Sequence, residues 1–112
     1  MEILQTMVFQ RWEQNLRDRR AKTLIATRLF RLANGLAGDV KPVGEGISEM
    51  RISYGPGYRI YFKQQGCHII ILLCGGDKSS QANDITMAKM LARSLDYQEI
   101  RCLLYTSPSP RD

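Results

Sequence analysis

The segment CHIIILLC, residues 67–74, constrains the fold of this chain more than any other. It is apolar at almost every position, which is typical of a β-strand that other elements cover on both faces. It is much shorter than the roughly 20 residues of a membrane-spanning helix, so it is not expected to cross a bilayer. The segment therefore predicts a central strand between two layers of secondary structure.

Two strand patterns precede this segment and predict a three-stranded antiparallel meander. They cover residues 47–53 and 58–63, and Gly55-Pro56-Gly57 forms a tight turn between them. If the hairpin closes about Pro56, one face is apolar and packs on helices, while the polar face stays open. The predicted pairs are Ser53 with Arg59, Arg51 with Tyr61 and Glu49 with Lys63 on the polar face, and Met50 and Ile52 with Phe62 and Ile60 on the other.

Apolar residues at helical spacing predict two helices in the N-terminal third of the chain. The first covers residues 7–17 and begins after Thr6, whose side chain is a suitable N-cap. Asp18 can cap the second helix, and Asn34-Gly35 is a typical C-terminal stop. The two helices are expected to form an antiparallel hairpin that covers part of the central strand.

A third helical pattern covers residues 81–95 and can be capped by Ser79 or Ser80. Gly75 and Gly76 are expected to give the preceding strand a sharp exit. With a short strand at residues 2–5, the predicted order is βααβββα. The fold class is therefore α+β, with a small antiparallel sheet packed against a helical hairpin and a C-terminal helix.

The 112 residues are enough for one domain, which we assign to residues 1–101. The last segment, CLLYTSPSPRD, has no apolar period, and Pro108 and Pro110 are incompatible with a helix. It resembles the in-frame translation of a sequencing-library adapter. Residues 102–112 are therefore interpreted as a non-native extension and left out of the predicted fold.

The chain is basic, which favours a polyanionic or acidic partner. Sixteen Lys and Arg residues against eleven Asp and Glu residues give a net charge of +5. A solvated helix face explains the basic outer surface of the second helix better than a dedicated nucleic-acid surface does. This surface comprises Arg20, Lys22, Arg28 and Arg31. The N-terminus has no basic region before an apolar stretch, so we expect no secretory signal and a cytoplasmic location.

No metal or other cofactor is expected from the cysteine and histidine pattern. Cys67 and Cys74 are about 23 Å apart along one strand, which is too far for a disulfide. His68 has no neighbours at ligand spacing, and both cysteines are interpreted as small core residues. The segment GGDKSS differs from a phosphate-binding loop because it lacks the required glycine spacing and a Gly directly before Lys78.

The residues best suited to chemistry are Arg51, Arg59, Tyr61 and Lys78, which we predict to form a catalytic cluster. Guanidinium groups pair with phosphate oxygens and stabilise the charge of a pentacoordinate transition state. A lysine or tyrosine whose pKa is lowered by nearby cations could act as acid or base when an RNA 2′-hydroxyl attacks. Further substrate contacts are assigned to Ser53, Tyr54 and Lys63.

One testable expectation accompanies this cluster. Arg59→Ala is expected to abolish activity without unfolding the protein, because the side chain should lie on an open face. The alternative is a purely structural surface, on which Arg51 stacks on Tyr61 and the two lysines are neutralised locally. In that case Lys63 pairs with Glu49 and Lys78 with Asp77.

Several motifs together resemble the RelE/ParE toxin superfamily, the addiction-module killer proteins, close to its HigB-like and phage-derived branch. They are the early tryptophan helix with LRDRRA, GDVKPVGEGISEMRI, YGPGYRIYF and LLCGGDKSSQANDI. The similarity extends to about Leu95. It implies a RelE-like fold and a toxin that a small antitoxin, encoded beside it, neutralises.

The resemblance also implies an activity and roles for two residues. Many relatives are ribosome-dependent mRNA endonucleases that use basic residues and little or no metal. Arg59 in GYRIYF matches the strand arginine that stabilises the transition state, and Lys78 lies where relatives carry further basic catalytic residues. Arg51 is placed by the hairpin pairing alone. The chain lacks the site histidine and C-terminal catalytic tyrosine of well-studied nucleases.

Two alternatives remain open at this point. ParE-like members inhibit DNA gyrase and cut no RNA, and a shared fold does not separate the two activities. A non-catalytic binding protein could also use the arginine face to dock an acidic partner. In each case the expected partners include a cognate antitoxin, a small protein of the helix-turn-helix type, and either ribosome and mRNA or gyrase.

Overall fold

The computed structural model describes residues 1–95 and 100–103. Within these ranges the fold is α+β, as predicted, and no helix is long and apolar enough to cross a membrane. A single 3-10 turn, Lys78–Ser80, precedes the last helix. The elements are β1 (Glu2–Thr6), α1 (Met7–Gln14), α2 (Arg19–Ala33), β2 (Val40–Gly44), β3 (Ile47–Ile52), β4 (Tyr58–Gln65), β5 (Ile69–Gly76), α3 (Gln81–Arg93) and β6 (Ile100–Leu103).

The strands form one mixed sheet in the order β2-β3-β4-β5-β1-β6. β1 runs parallel to β5, and the other neighbouring pairs are antiparallel. The expectation of a purely antiparallel sheet was wrong. The reason is topological, because β1 reaches β5 through two helices and a meander, and such a long crossover permits parallel pairing.

The prediction for the apolar segment is confirmed: β5 lies between β4 and β1 and is covered on both faces. Ile70 and Leu72 pack with residues of α1 and α2, whereas Ile71 and Leu73 pack on the opposite side with residues of α3. Successive side chains of a strand point to opposite faces, so one apolar run supplies both layers of the core. α1 and α2 thus cover one face of the sheet and α3 covers the other.

The two cysteines of the segment differ in environment. The strand begins at Ile69, so Cys67 lies in the preceding turn and is exposed. The core assignment is therefore wrong for Cys67 and confirmed for Cys74. Burial raises the pKa of the Cys74 thiol to about 12, and the nearby Asp84 charge adds to the effect. A thiol in this state is a poor nucleophile.

Local capping residues fix the starts of α1 and α2 as predicted. The Thr6 hydroxyl accepts from the Phe9 amide at 3.1 Å and donates to the Leu73 carbonyl at 2.6 Å, which ties the helix start to β5. The Asp18 carboxylate accepts from the Arg20 and Ala21 amides. α1 ends at Gln14 rather than residue 17, since the chain must turn before the Asp18 cap.

The structure adds two strands that the sequence pattern did not predict. β2 lies in a segment interpreted as turns, and it pairs with β3 at the sheet edge, where Pro42 is tolerated. β6 pairs with β1 and includes residues 102 and 103, so the fold extends two residues beyond the predicted domain boundary. Residues 104–112 lie outside the described residues, and the adapter origin of residues 102–112 stays a prediction.

Gly75 and Gly76 belong to β5 and allow close packing rather than a sharp exit. A Cβ added at Gly75 would overlap the Trp12 ring, and one at Gly76 would overlap the Asp84 carboxylate. The absent side chains therefore let α1 approach one face of β5 and α3 the other.

Candidate functional site

A cleft of about 390 Å³ lies where β3, β4 and the turn after β5 meet. Arg51, Arg59 and Lys78 line it, as does Ser53, so three of the four predicted catalytic residues and one predicted substrate contact come together. The strand order explains the convergence, because Arg51 is on β3, Arg59 is opposite it on β4, and Lys78 follows the end of β5. The remaining lining residues are Asp39, Ile52, Gly57 and Tyr58.

The hairpin pairs with a register two residues away from the predicted one. Arg51 faces Arg59 and Glu49 faces Tyr61, because residues 53–57 form the loop and its centre is Gly55 rather than Pro56. Gly55 and Gly57 both have positive φ, which lets this loop close. A shift of two residues leaves every side chain on its predicted face. The cationic face is thus retained while its cross-strand partners change.

The direct opposition of Arg51 and Arg59 is unfavourable by itself. Residues facing each other in an antiparallel pair have Cα atoms about 4.5–5.5 Å apart, and like charges there are destabilising. Each guanidinium has its own carboxylate: Arg51 Nη2 lies 2.9 Å from Asp39 Oδ1, and Arg59 Nη1 lies 3.1 Å from Glu49 Oε1. Two counter-ions therefore offset a repulsion that the hairpin register imposes.

The backbone at Asp39 is held beside the cleft by hydrogen bonds of its own carbonyl and of neighbouring residues. The Arg51 amide donates to the Asp39 carbonyl at 2.9 Å. Arg28 donates to the carbonyl of Arg51 at 2.8 Å and to that of Ala37 at 3.3 Å. Burial lowers the pKa of Arg28, and the Asp39 charge opposes this. Arg28 is thus a structural contact of the cleft rather than part of a solvated basic face.

Glu49 is fully buried and accepts three hydrogen bonds. The donors are Arg59 Nη1 at 3.1 Å, the Tyr61 hydroxyl at 2.9 Å and Gln81 Nε2 at 2.8 Å. A buried carboxylate needs such donors to replace the water it has lost. The cluster joins β3, β4 and the start of α3 directly behind the cleft, and it fixes one edge of the Arg59 guanidinium.

Tyr61 does not lie on the open face predicted for it. Its side chain is fully buried, because α3 covers this part of the polar face of β4. Burial raises the pKa of the Tyr61 hydroxyl, and its hydrogen bond to Glu49 raises it further. The expected acid–base or stacking role is therefore incorrect on geometric grounds. Glu49 takes part in holding Arg59 and does not pair with Lys63.

Tyr54 and Lys63 also lie away from the cleft. The Tyr54 hydroxyl donates to Asp18 Oδ2 at 2.8 Å, and the Arg20 guanidinium lies 5.9 Å from the ring centroid. Tyr54 thus anchors the hairpin loop to the start of α2 rather than contacting substrate. Lys63 faces Ile47 and Ile71 near the other end of β4, so it cannot extend the same site.

Lys78 is exposed and projects from the 3-10 turn beside the hairpin loop. A Cβ at Gly57 would lie 3.6 Å from the Lys78 Cβ, which shows how closely the turn and loop approach. The Asp77 carboxylate caps the turn through Ser79, and these hydrogen bonds lower the pKa of Asp77. Among the ion pairs of the described residues, none involves Lys78.

Asp39 and Tyr58 line the cleft but were missed by the sequence interpretation. Asp39 stood in a glycine-rich stretch that gave no sign of pairing with β3. Tyr58 alternates with Ile60 and Phe62, which places it on the apolar face of β4, and it does contact Trp12, with ring centroids 6.2 Å apart. The sequence signal for a place at the cleft was that Tyr58 is the first residue after the hairpin loop. A side chain at the end of a strand can contact both the core and a cleft beside the strand.

Comparison with known proteins identifies one family relationship. No family model matches the chain, and no solved structure matches it significantly. A Haemophilus influenzae protein, described as an uncharacterized protein, is 48% identical over 95 residues. The matched region covers 85% of this chain and 96% of that protein. Identity at this level over nearly the full length of both proteins places them in one family.

Proposed function

We propose that this chain, which belongs to the same family as the Haemophilus influenzae protein, is the toxin of a type II toxin–antitoxin system. Within the RelE/ParE superfamily, the activity we assign to it is ribosome-dependent mRNA cleavage without a metal. The motifs YGPGYRIYF and LLCGGDKSSQANDI support the assignment. So does the strand order β2-β3-β4-β5-β1, with α1 and α2 on one face and α3 on the other, which is consistent with a RelE-like fold.

The observation that carries the proposal is the convergence of Arg51, Arg59 and Lys78 on one cleft. The strands hold both arginines, so little side-chain entropy is lost when they bind phosphate. Guanidinium groups bind phosphate oxygens in pairs, and an ammonium group adds a point charge. Tyr58 adds an aromatic side chain to the lining, on which an unpaired base can stack.

In the proposed reaction the 2′-hydroxyl of the RNA releases its proton to water and attacks the neighbouring phosphorus, which forms a 2′,3′-cyclic phosphate as the bond to the 5′-oxygen breaks. Arg59 and Arg51 stabilise the additional negative charge of the pentacoordinate transition state. We assign proton donation to the departing 5′-oxygen to Lys78, whose ammonium group is exposed beside the cleft. Ribosome dependence fits this arrangement, because the ribosome can hold the mRNA in line for attack.

A second function, binding without cleavage, is favoured by one observation. Both arginines already carry a carboxylate, and the tyrosine expected to aid proton transfer is buried. A cleft of this kind can grip a polyanion or an acidic protein surface without performing chemistry. A ParE-like inhibitor of DNA gyrase is the specific form of this alternative.

Purified protein added to a translation extract distinguishes the two functions. Cleavage of the reporter mRNA that requires ribosomes, and that Lys78→Ala abolishes but Lys22→Ala does not, supports the nuclease. Inhibition of gyrase supercoiling without RNA cuts supports the alternative. If neither effect is observed, the nuclease and the gyrase inhibitor are both overturned and a non-catalytic binding protein remains. The proposed partners are the cognate antitoxin, which presents an acidic or helical segment to the cationic face or holds α3, together with the ribosome and mRNA of the cytoplasm.

A further inference from the structure

Asp39 is the single carboxylate among the described residues that line the cleft. Its Oδ1 atom accepts from Arg51 Nη2 at 2.9 Å and from Arg51 Nε at 3.3 Å. These are two donors on one edge of the guanidinium, and paired donors of this kind bind phosphate oxygens as well as carboxylates. The side chains are 39% and 49% exposed, so solvent and ligands reach the pair. An anion of the protein itself thus occupies the Arg51 subsite.

The position of Asp39 is set by the backbone around it. The Asp39 carbonyl accepts from the Arg51 amide, and Arg28 grips the neighbouring Ala37 carbonyl. A Cβ at Gly38 would lie 2.9 Å from Arg28 Nη2, so a larger residue would push the end of the Arg28 side chain aside, and Gly38 also has φ 72°, which favours glycine. Because these contacts do not involve the Asp39 carboxylate, the carboxylate can rotate away from Arg51 without breaking them.

We infer that Asp39 is a specificity-determining residue, an internal anion that a polynucleotide phosphate must displace from Arg51. The inference rests on the proposed function, since it assumes that the cleft binds a phosphodiester chain. A tethered carboxylate has a high effective concentration, so an isolated anion competes with it poorly. A single-stranded polynucleotide already held at Lys78 and Arg59 brings a second phosphate at a similarly high effective concentration. The cleft therefore selects polynucleotides over single phosphate groups.

Binding of a 2′-O-methylated single-stranded RNA oligonucleotide tests this inference without any cleavage step. Asp39→Asn keeps the side-chain shape and frees Arg51. We expect its affinity to rise about two- to fivefold, the amount one exposed ion pair accounts for. The dependence of log K on log salt is expected to steepen by up to about 0.7, because the Asp39 carboxylate displaced in the wild type takes up a cation and so offsets one of the counterions that the RNA releases. Inorganic phosphate, inert toward the wild type, is expected to compete measurably with the oligonucleotide on the Asp39→Asn variant.

Glu45→Gln is the matched control, since Glu45 is 44% exposed and pairs with Arg93 and Lys89 at another surface. Glu45→Gln removes the same charge without changing the cleft, so we expect a smaller gain in affinity for the oligonucleotide. Arg51→Gln gives a second check, because in that background Asp39→Asn should raise the affinity no more than Glu45→Gln does. Equal gains in affinity from Asp39→Asn and Glu45→Gln, or an undiminished gain from Asp39→Asn without Arg51, would overturn the inference alone. If neither the wild type nor Asp39→Asn binds the oligonucleotide, both this inference and the proposal that the cleft recognises polynucleotides are overturned.

Discussion

Arg51 and Arg59 face each other directly across the β3–β4 hairpin, and each guanidinium is paired with a carboxylate from a different part of the chain. The two pairs differ in kind. Asp39 is half-exposed and belongs to the cleft, whereas Glu49 is fully buried and belongs to the core behind it. Arg51 is therefore free to exchange its partner for a ligand, while Arg59 is anchored and can offer only its outer edge.

The Arg59–Glu49 pair is expected to dominate the stability of this region. Arg59→Gln leaves the Glu49 charge buried without its cation and should cost about 3–5 kcal/mol. Glu49→Gln in the same chain restores neutrality and keeps an acceptor for the Tyr61 hydroxyl, so the double variant should recover much of the loss. Urea denaturation of the four proteins measures the coupling. Additive effects would contradict the account. Arg59→Ala, expected from sequence to be structurally silent, should also be destabilising.

The Tyr54–Asp18 hydrogen bond predicts a loss of stability in acid. Its formation lowers the pKa of Asp18 in the folded protein, together with the amides that Asp18 caps. A carboxyl whose pKa is lower in the folded than in the unfolded state adds stability above its unfolded pKa of about 3.9. That stability disappears as the pH falls through the lower, folded value.

Thermal unfolding between pH 7 and pH 2 checks this prediction. Tyr54→Phe should lower Tm at pH 7. It should also reduce the difference in Tm between pH 7 and pH 2, because the pKa of Asp18 is then lowered less. Asp77 is the internal reference for the loss of stability in acid. Its pKa is also lowered, but through hydrogen bonds from Ser79 and not through Tyr54. If Tm falls by the same amount in acid for Tyr54→Phe and the wild type, the Tyr54–Asp18 hydrogen bond does not contribute to the pH dependence of stability.

Gly75→Ala should destabilise the protein more than a glycine replacement in open space does. The new Cβ would overlap the Trp12 ring, which is itself packed against Phe9 and Tyr58. We expect a cost of about 3 kcal/mol, the upper end of the usual range for overpacking. Gly66→Ala is the control: Gly66 has φ 69° with no atom within 4 Å of the added Cβ, so only backbone strain of about 1–2 kcal/mol is expected. Equal losses would mean that the Trp12 contact is not tight.

The parts of the fold that sequence predicted well are those encoded locally. Thr6 and Asp18 mark helix starts because a short polar side chain next to an apolar period satisfies exposed amides. The apolar run of β5 required cover on both faces, which the structure provides. β2 was missed because Pro42 and its flanking glycines have turn chemistry, and its strand character comes from pairing with β3.

The site was predicted in position but not in its internal pairing. Strand alternation was enough to place Arg51 and Arg59 on one face, whichever register the loop selects. The burial of Tyr61 depends on where α3 docks, and nothing in YGPGYRIYF encodes that. Glu49 was taken for a surface residue for the same reason, since a polar residue in an alternating pattern does not reveal a helix lying over it.

The salt dependence of single-stranded RNA binding tests the central claim most directly, which is that Arg51, Arg59 and Lys78 form one phosphate-binding cleft. Lys78→Ala should change unfolding free energy by no more than about 0.5 kcal/mol, because the side chain is exposed. It should weaken binding and reduce the slope of log K against log salt by about 0.7, while Lys22→Ala on α2 leaves both unchanged. Equal losses from the two lysine variants, or an unchanged slope in Lys78→Ala, would contradict the claim.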